Sequence, residues 1–301
     1  MAGSSKKVII AALIGNGLIA ITKFIAAGLT RSSAMLSEGI HSLVDTGNQL
    51  LLLYGLKASK RPADQAFPFG HGRELYFWSF IVAIMIFAVG AGISVYEGIQ
   101  HLLHPSEAGN PMVNYIVLGF AMVFEGAAWY YAWKAFNEHR GRKGYLAAVH
   151  EGKDPTMFVV LFEDSAAMLG LVVAFFGVLL TDITGLHYFD GAASILIGLI
   201  LGATAAWLAY ETKSLLIGES ADSSTVKRLK QLAIAHEEVE HVNELLTMHL
   251  GPEDILVNLS VDFKDSATAE RVEQVIARIT AEFKEDHPAV KRVFIEAESR
   301  K

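Results

Sequence analysis

Long apolar runs alternate with short polar ones over the first two thirds of the chain, and then the pattern changes. Six stretches are each long and apolar enough to form a helix that crosses a bilayer, which takes about 20 residues. They are residues 8–29, 33–56, 77–102, 112–136, 156–181 and 188–216. Beyond residue 219 there is no such run. Residues 223–236 read as a helix opened by Ser223 and Ser224, whose hydroxyls suit an N-cap. Residues 242–250 and 254–263 read as strands, because Ile255, Val257, Leu259 and Val261 alternate with polar or small neighbours. Gly251-Pro252-Glu253-Asp254 is the turn between them. An amphipathic helix over 267–285 and a last strand over 290–297 complete the tail. The predicted fold class is an α-helical membrane protein. Residues 1–218 form a domain of six transmembrane helices, and residues 219–301 a small cytoplasmic α+β domain of ferredoxin-like order.

Charge orients these spans. The loop over 57–76 holds Lys57, Lys60, Arg61 and Arg73, and the loop over 134–154 holds Lys134, Arg140, Arg142, Lys143 and Lys153. On the opposite side there is only Arg31. Basic loops stay in the cytoplasm, so both termini are expected there, in the inner membrane of a cell. Lys6 and Lys7 before an apolar run mimic a signal peptide, but the run continues to about Leu29 without a small-residue cleavage site and reads as the first span. The net charge of −7 comes mainly from the tail and argues against nucleic acid as a partner. The chain has no cysteine, so disulfides and thiolate metal sites are excluded.

Against this greasy background a few polar side chains stand out. His41 and Asp45 are four apart in the second span and share one helix face, one turn from each other. Asp164 lies in the fifth span, preceded by Glu163. An ionised Asp at mid-membrane costs about 3 kcal/mol or more, and side chains so costly there are usually functional. An imidazole and carboxylates that converge suit a borderline divalent cation such as zinc. Helical neighbours diverge by about 100°, so Glu163 and Asp164 cannot point the same way into one site. Asp164 is the expected ligand. Glu163 is left as a fourth ligand, a proton carrier or a partner of a neighbouring helix. One turn before Asp164 stands Val160, which cannot ligate. Three protein ligands and a vacancy are what an exchanging metal site needs.

Other polar residues carry less. Glu38, one turn before His41, is a candidate to orient it. Glu97 and Lys23 can be explained by snorkelling. Glu125, near the middle of the fourth span, is the most prominent of the remainder, ahead of Asn16 and Asn48. Asp64 and His71 in the first cytoplasmic loop are a candidate second metal pair, although an incidental His in a turn-rich loop is the plainer reading. His236-Glu237-Glu238-Val239-Glu240-His241 is not a zincin motif, because its histidines are five apart; it reads as a solvated helix end. The sequon at Asn258 falls in a cytoplasmic strand. Gly15, Gly17, Gly39, Gly47, Gly90, Gly92, Gly126, Gly170 and Gly177 are read as helix-packing positions.

Taken together, Ser42-Leu43-Val44-Asp45 in span two, Phe69-Gly70-His71-Gly72 after it, and Asp164 followed by Gly170 in span five make the chain resemble the cation diffusion facilitator family. That is a family of proton-coupled zinc and manganese transporters. The Glu163-Asp164 pair beside His41 and Asp45 is similar to the branch that contains the mitochondrial zinc transporters. The resemblance implies a homodimer with a transport site of two ligands on span two and two on span five. His41, Asp45 and Asp164 match three of these positions, and Val160 falls on the fourth. It also implies a loop metal site at Asp64 and His71, with Phe67 where a His is often found. The tail positions that hold metal in the family read Asn243, Leu259, Glu296 and Glu298 here, so the tail is expected to keep the dimerising fold without most of its zinc sites.

The function so implied is exchange of a divalent cation, Zn²⁺, for protons, with export from the cytoplasm and no resident cofactor. Metal binds deprotonated ligands, so metal and protons displace one another. His41, with an unperturbed pKa of about 6.5, is the natural proton partner. Transport of Mn²⁺ or Fe²⁺ by the same fold is the main alternative, because a single His leaves a site rich in oxygen. Co²⁺ and Cd²⁺ are further candidate cargoes. An intramembrane metalloenzyme lacks a hydrolase motif, and a sensor that does not transport leaves the buried charges without a use. The chain is therefore read as not an enzyme.

Overall fold

The computed structural model describes residues 2–30, 33–104, 111–141, 144–186 and 188–300. Within these helices the side chains of residues 2–5, 26–27, 29–30, 33–41, 111, 139 and 146 lie outside the described set, and those of Glu38, Gly39 and His41 are among them. The elements are α1 (Ala2–Thr30), α2 (Ser33–Ala58), α3 (Glu74–Met85), a π-helical turn (Ile86–Ala91), α4 (Gly92–Leu103), α5 (Pro111–Arg140), α6 (Tyr145–His150), α7 (Pro155–Thr184) and α8 (Tyr188–Ile217). They are followed by α9 (Ser223–Ile234), β1 (Val239–Gly251), β2 (Asp254–Phe263), α10 (Ala269–Asp286) and β3 (Val290–Ala297).

Among the described residues five helical stretches are long and apolar enough to cross a membrane: Lys6–Ile25, Glu74–Leu103, Met112–Glu138, Pro155–Thr184 and Tyr188–Ile217. The second expected span, α2, is a helix of 26 residues. Its side chains are described only from Ser42 onward, a stretch shorter than one crossing. The helices are apolar on the outside: Ile14, Leu18, Phe87, Ile93, Val123, Leu169, Phe176 and Leu199 are exposed. Asn16, Lys23, Asn48, Gln49, Glu125, Glu163 and Asp164 are buried. A soluble protein would reverse this, whereas a lipid solvent favours it. This is a membrane protein of several apolar helices.

The chain divides into two compact units. The first comprises Met1–Lys57, Phe77–His150 and Pro155–Lys213; the second comprises Ala58–Tyr76, Glu151–Asp154 and Ser214–Lys301. The C-terminal stretch of the second unit thus starts at Ser214, and the unit also takes in two segments that the sequence places among the loops of residues 1–218.

In the first unit small residues set the helix spacing. A Cβ on Gly98 would meet the Gly191 carbonyl at 2.7 Å, and one on Gly198 the Val95 amide nitrogen at 3.0 Å, so α4 and α8 touch through their backbones. Gly177 closes α7 on Ala193 at 2.6 Å, and Gly15 closes α1 on Ala128 at 3.2 Å. Of the glycines assigned to packing from sequence, Gly15, Gly170 and Gly177 make such approaches, but Gly17 and Gly47 face nothing within 4 Å. Gly98, Gly191 and Gly198 carry the tightest α4–α8 contacts, and the sequence reading did not single them out.

The second unit has its own core: Leu229, Val257, Leu259, Val261, Val275, Ile279 and Phe283 are fully buried. The sheet runs β1-β2-β3, with β1 and β2 antiparallel and β2 and β3 parallel. The cap of α9 is Asp222, not Ser223 or Ser224. Its carboxylate accepts from the Ser224 and Thr225 amides, both at 3.0 Å. A carboxylate reaches both free amides of the first turn and also complements the helix dipole, which a hydroxyl does less well. The residues after α9 are a turn rather than a solvated helix end, with His236 hydrogen-bonded to Glu282 of α10 at 3.1 Å. The loop 58–76 is held to this domain. A Cβ on Gly72 would meet the Leu250 carbonyl at 2.3 Å, Arg73 donates to Met248 Sδ at 2.6 Å, and Lys153 pairs with Glu219 at 3.0 Å.

His249 in β1 is buried, and its Nδ1 lies 3.2 Å from the Gly251 carbonyl. Burial pushes its pKa below the usual imidazole value; the carbonyl opposes this and the Lys153 ammonium adds to it. The unfolded chain then takes up a proton near pH 6.5 that the folded domain resists. Stability present above that pH is expected to be lost as pH falls through it toward the lower folded value. Hydrogen exchange of β1 and β2 should therefore quicken, relative to intrinsic rates, between pH 7 and pH 5. His249→Gln should flatten that dependence. Equal pH profiles for the two proteins would remove His249 as the cause.

Candidate functional site

The polar interior of the first unit is assembled by α1, α2, α5 and α7 with the π-helical turn. On α2, Asp45, Asn48 and Gln49 fall at spacings of three and four and so share a face. On α7 residues 155–161 are buried without a break, followed by Glu163 at 5% exposure and Asp164 at 0%. The two carboxylates solve their divergence differently. Glu163 turns to α2, where Asn48 Nδ2 donates to Oε1 at 3.1 Å and Gln49 Nε2 to Oε2 at 2.9 Å. Both oxygens of Asp164 are buried and accept no hydrogen bond.

Asp164 borders a small cavity lined also by Asn16, Asp45, Asn48, Ile86, Gly90, Glu125 and Glu163. It has room for about one water-sized body. Ile86 and Gly90 bring the π-helical turn to its wall, an irregularity often found at functional sites. Trp129 Nε1 donates to Ser165 Oγ at 2.9 Å and ties α5 to α7. Lys23 Nζ donates to Ser42 Oγ at 2.9 Å and ties α1 to α2.

Of the residues expected from sequence, Asp45, Glu163 and Asp164 meet at this cavity. The side chain of His41 lies outside the described residues. Val160 is fully buried and supplies no ligand. Among the described residues no three His, Asp or Glu side chains are arranged to hold a metal ion. The carboxylates thus surround the cavity without forming a ready-made coordination shell. Asn48 and Gln49 as partners of Glu163, and Ser42 as the partner of Lys23, are not given by the sequence reading. Their signal is the spacing from Asp45 along one face of α2.

Asp64 and His71 also meet, in the second unit. His71 Nε2 lies 3.0 Å from Asp64 Oδ2, and the Phe67 ring stacks at 4.6 Å. Asp64 Oδ1 accepts from the Ala66 and Phe67 amides at 2.9 and 2.7 Å. The Phe67 amide and the His71 ring hold the Asp64 carboxyl below the usual carboxylate range. Gly70, at φ +86°, makes the turn that presents His71. The pair is an ordered loop clasp rather than an incidental His. In the tail, Asn243 donates to the Glu298 carbonyl at 2.9 Å and Ser260 Oγ to Glu298 Oε2 at 2.9 Å, while Leu259 is core.

Residues 9–217 match the cation efflux transmembrane domain. The chain belongs to the cation efflux family, a family of transporters. It is 37% identical over 259 residues to a mitochondrial proton-coupled zinc antiporter of Xenopus laevis, covering 85% of this chain and 46% of that protein. The corresponding protein of Homo sapiens is 36% identical over the same share. A manganese efflux system protein of Bacillus subtilis is 25% identical over 298 residues, covering 97% of this chain and 95% of its own length. The chain spans about half the length of the zinc antiporters it matches.

Glu163→Gln should lower the melting temperature of the detergent-solubilised protein, followed by tryptophan fluorescence. A carboxamide presents one donor group to two amides that must themselves donate, and an unmet buried polar group costs about 1–3 kcal/mol. An unchanged melting curve would show that the bonds to Asn48 and Gln49 do not hold α7 to α2.

Proposed function

We propose that this protein is an antiporter that exports Zn²⁺ from the cytoplasm in exchange for protons, as a homodimer in the inner membrane with both termini cytoplasmic. The observation that carries the reading is Asp164, a fully buried carboxylate with neither oxygen hydrogen-bonded, set on an ion-sized cavity with Asp45. A buried carboxylate left bare is costly, and a cation or a proton relieves it. Alternation between the two is the chemistry of an antiporter. The names of the zinc antiporters it resembles support the cargo and the coupling. His41, on the face of α2 that carries Asp45, is the proposed nitrogen ligand and proton partner. Rocking of the helices about a fixed midplane site would expose it to either side in turn.

One observation favours manganese as the cargo instead: every ionisable side chain described at the cavity, Asp45, Glu125, Glu163 and Asp164, offers oxygen, and oxygen sets suit Mn²⁺. The near end-to-end match to a manganese efflux protein agrees with it.

The test is flux in proteoliposomes with an imposed pH gradient, using Zn²⁺, Mn²⁺, Fe²⁺, Co²⁺ and Cd²⁺. Zn²⁺ should move proton-dependently. Asp45→Ala and Asp164→Ala should each abolish that flux in a folded protein, and Glu163→Gln should retain more of it than Asp164→Asn. Metal flux near the parent's in either alanine variant would remove that residue from the site. His41→Asp should shift preference from Zn²⁺ toward Mn²⁺, because a hard oxygen replaces a borderline nitrogen. An unchanged preference and pH profile would exclude His41.

A further inference from the structure

On α2 and α7 the proposed site has Asp45 and Asp164 as its described carboxylate donors. Val160 is buried and cannot ligate, and the acid nearest to it in α7 besides Asp164, Glu163, has both oxygens committed to Asn48 and Gln49. A different carboxylate lines the same cavity. Glu125 of α5 is 4% exposed and lies within electrostatic reach of Asp45 and Lys23. We propose that Glu125 is a direct ligand of the transported divalent cation, the oxygen donor from α5 that completes the set begun by Asp45 and Asp164.

Three local features place it there. Gly15 lets α1 approach α5 at Phe124 and Ala128, on either side of Glu125. The Trp129–Ser165 bond fixes α5 against α7 one turn beyond Glu125 and beside Asp164. Lys23, buried and bonded to Ser42, is a basic group within electrostatic reach of Glu125. Asp164, whose buried oxygens accept no hydrogen bond, lines the same small space as Asp45 and Glu125. No three of them are in ligating position before the ion binds. The ion draws them together, and α5 thereby moves with α7 rather than serving as a passive wall. This rests on the transport reading above, and it makes the coordination sphere oxygen-rich.

The test is Zn²⁺ binding to the purified full chain by isothermal calorimetry, with flux in proteoliposomes alongside. Glu125→Gln keeps the shape and removes the charge. It should weaken Zn²⁺ binding at least about tenfold, as loss of a metal-site group does, and raise the Zn²⁺ concentration for half-maximal flux. Glu125→His keeps a donor and should regain binding with a stronger preference for Zn²⁺ over Mn²⁺ than the parent has. A carboxylate that only braces helices would not be rescued by an imidazole. Should Glu125→Gln not fold, Glu125→His alone decides: parent-like selectivity overturns the assignment. Glu125→Gln binding Zn²⁺ like the parent while Asp164→Asn does not would overturn Glu125 alone. Parent-like binding by Asp164→Asn would overturn the site itself, and this proposal with it.

Discussion

Three carboxylates held away from water, Glu125, Glu163 and Asp164, with the half-buried Asp45 beside them, are the constraint around which the first unit is built. Each costs several kcal/mol to bury unless something compensates. Glu163 is compensated by two amide donors from the next helix, and that arrangement is static. Asp164, its neighbour in sequence, accepts no hydrogen bond among the described residues. The contrast is informative because the same helix turn, at the same depth, supplies both. A fold that satisfies one carboxylate and leaves the next one bare fits the proposed role of the second as a site for an exchanging cation or proton.

The packing serves that reservation. With lipid outside, apolar burial gives little drive to assemble helices, so contact must come from close backbones and polar ties. Glycines at 98, 191 and 198 put α4 and α8 in backbone contact. That contact begins just past the π-helical turn, whose Ile86 and Gly90 reach the cavity. Side-chain bonds from Lys23 to Ser42, from Asn48 and Gln49 to Glu163, and from Trp129 to Ser165 join α1 to α2, α2 to α7 and α5 to α7. Each tie lies close to one of the acids, so the cavity walls are fixed where the charges are.

Much of the fold was legible because lipid and water impose coarse, strong patterns. Runs of about 20 apolar residues mark the spans, and alternation from Ile255 to Val261 marks β2; among the described residues the structure follows five of the six spans, and β2, within a few residues. Asp45 and Asp164 were legible because an acid in such a run is rare. What could not be read was pairing between helices. Asn48 and Gln49 are ordinary polar residues until Glu163 is seen between them, and nothing in sequence says that α5 sits against α7. The cap on α9 was misread by one residue because Asp222 competes with two adjacent serines, and only geometry separates them. The clasp of Asp64 on His71 needed the turn at Gly70, which aims the ring back at a residue seven positions earlier.

In the proposed transport site, the choice between a borderline and a hard cation would turn on few atoms. Asp45 and Asp164 offer oxygen, and an oxygen from Glu125 would tilt the site further toward hard ions such as Mn²⁺. An imidazole from His41 would tilt it back. Relatives of this chain bear names with zinc and with manganese, and a site balanced between one nitrogen and several oxygens accommodates that divergence. A substitution at one position would be enough to move it either way, without altering the helices that hold it.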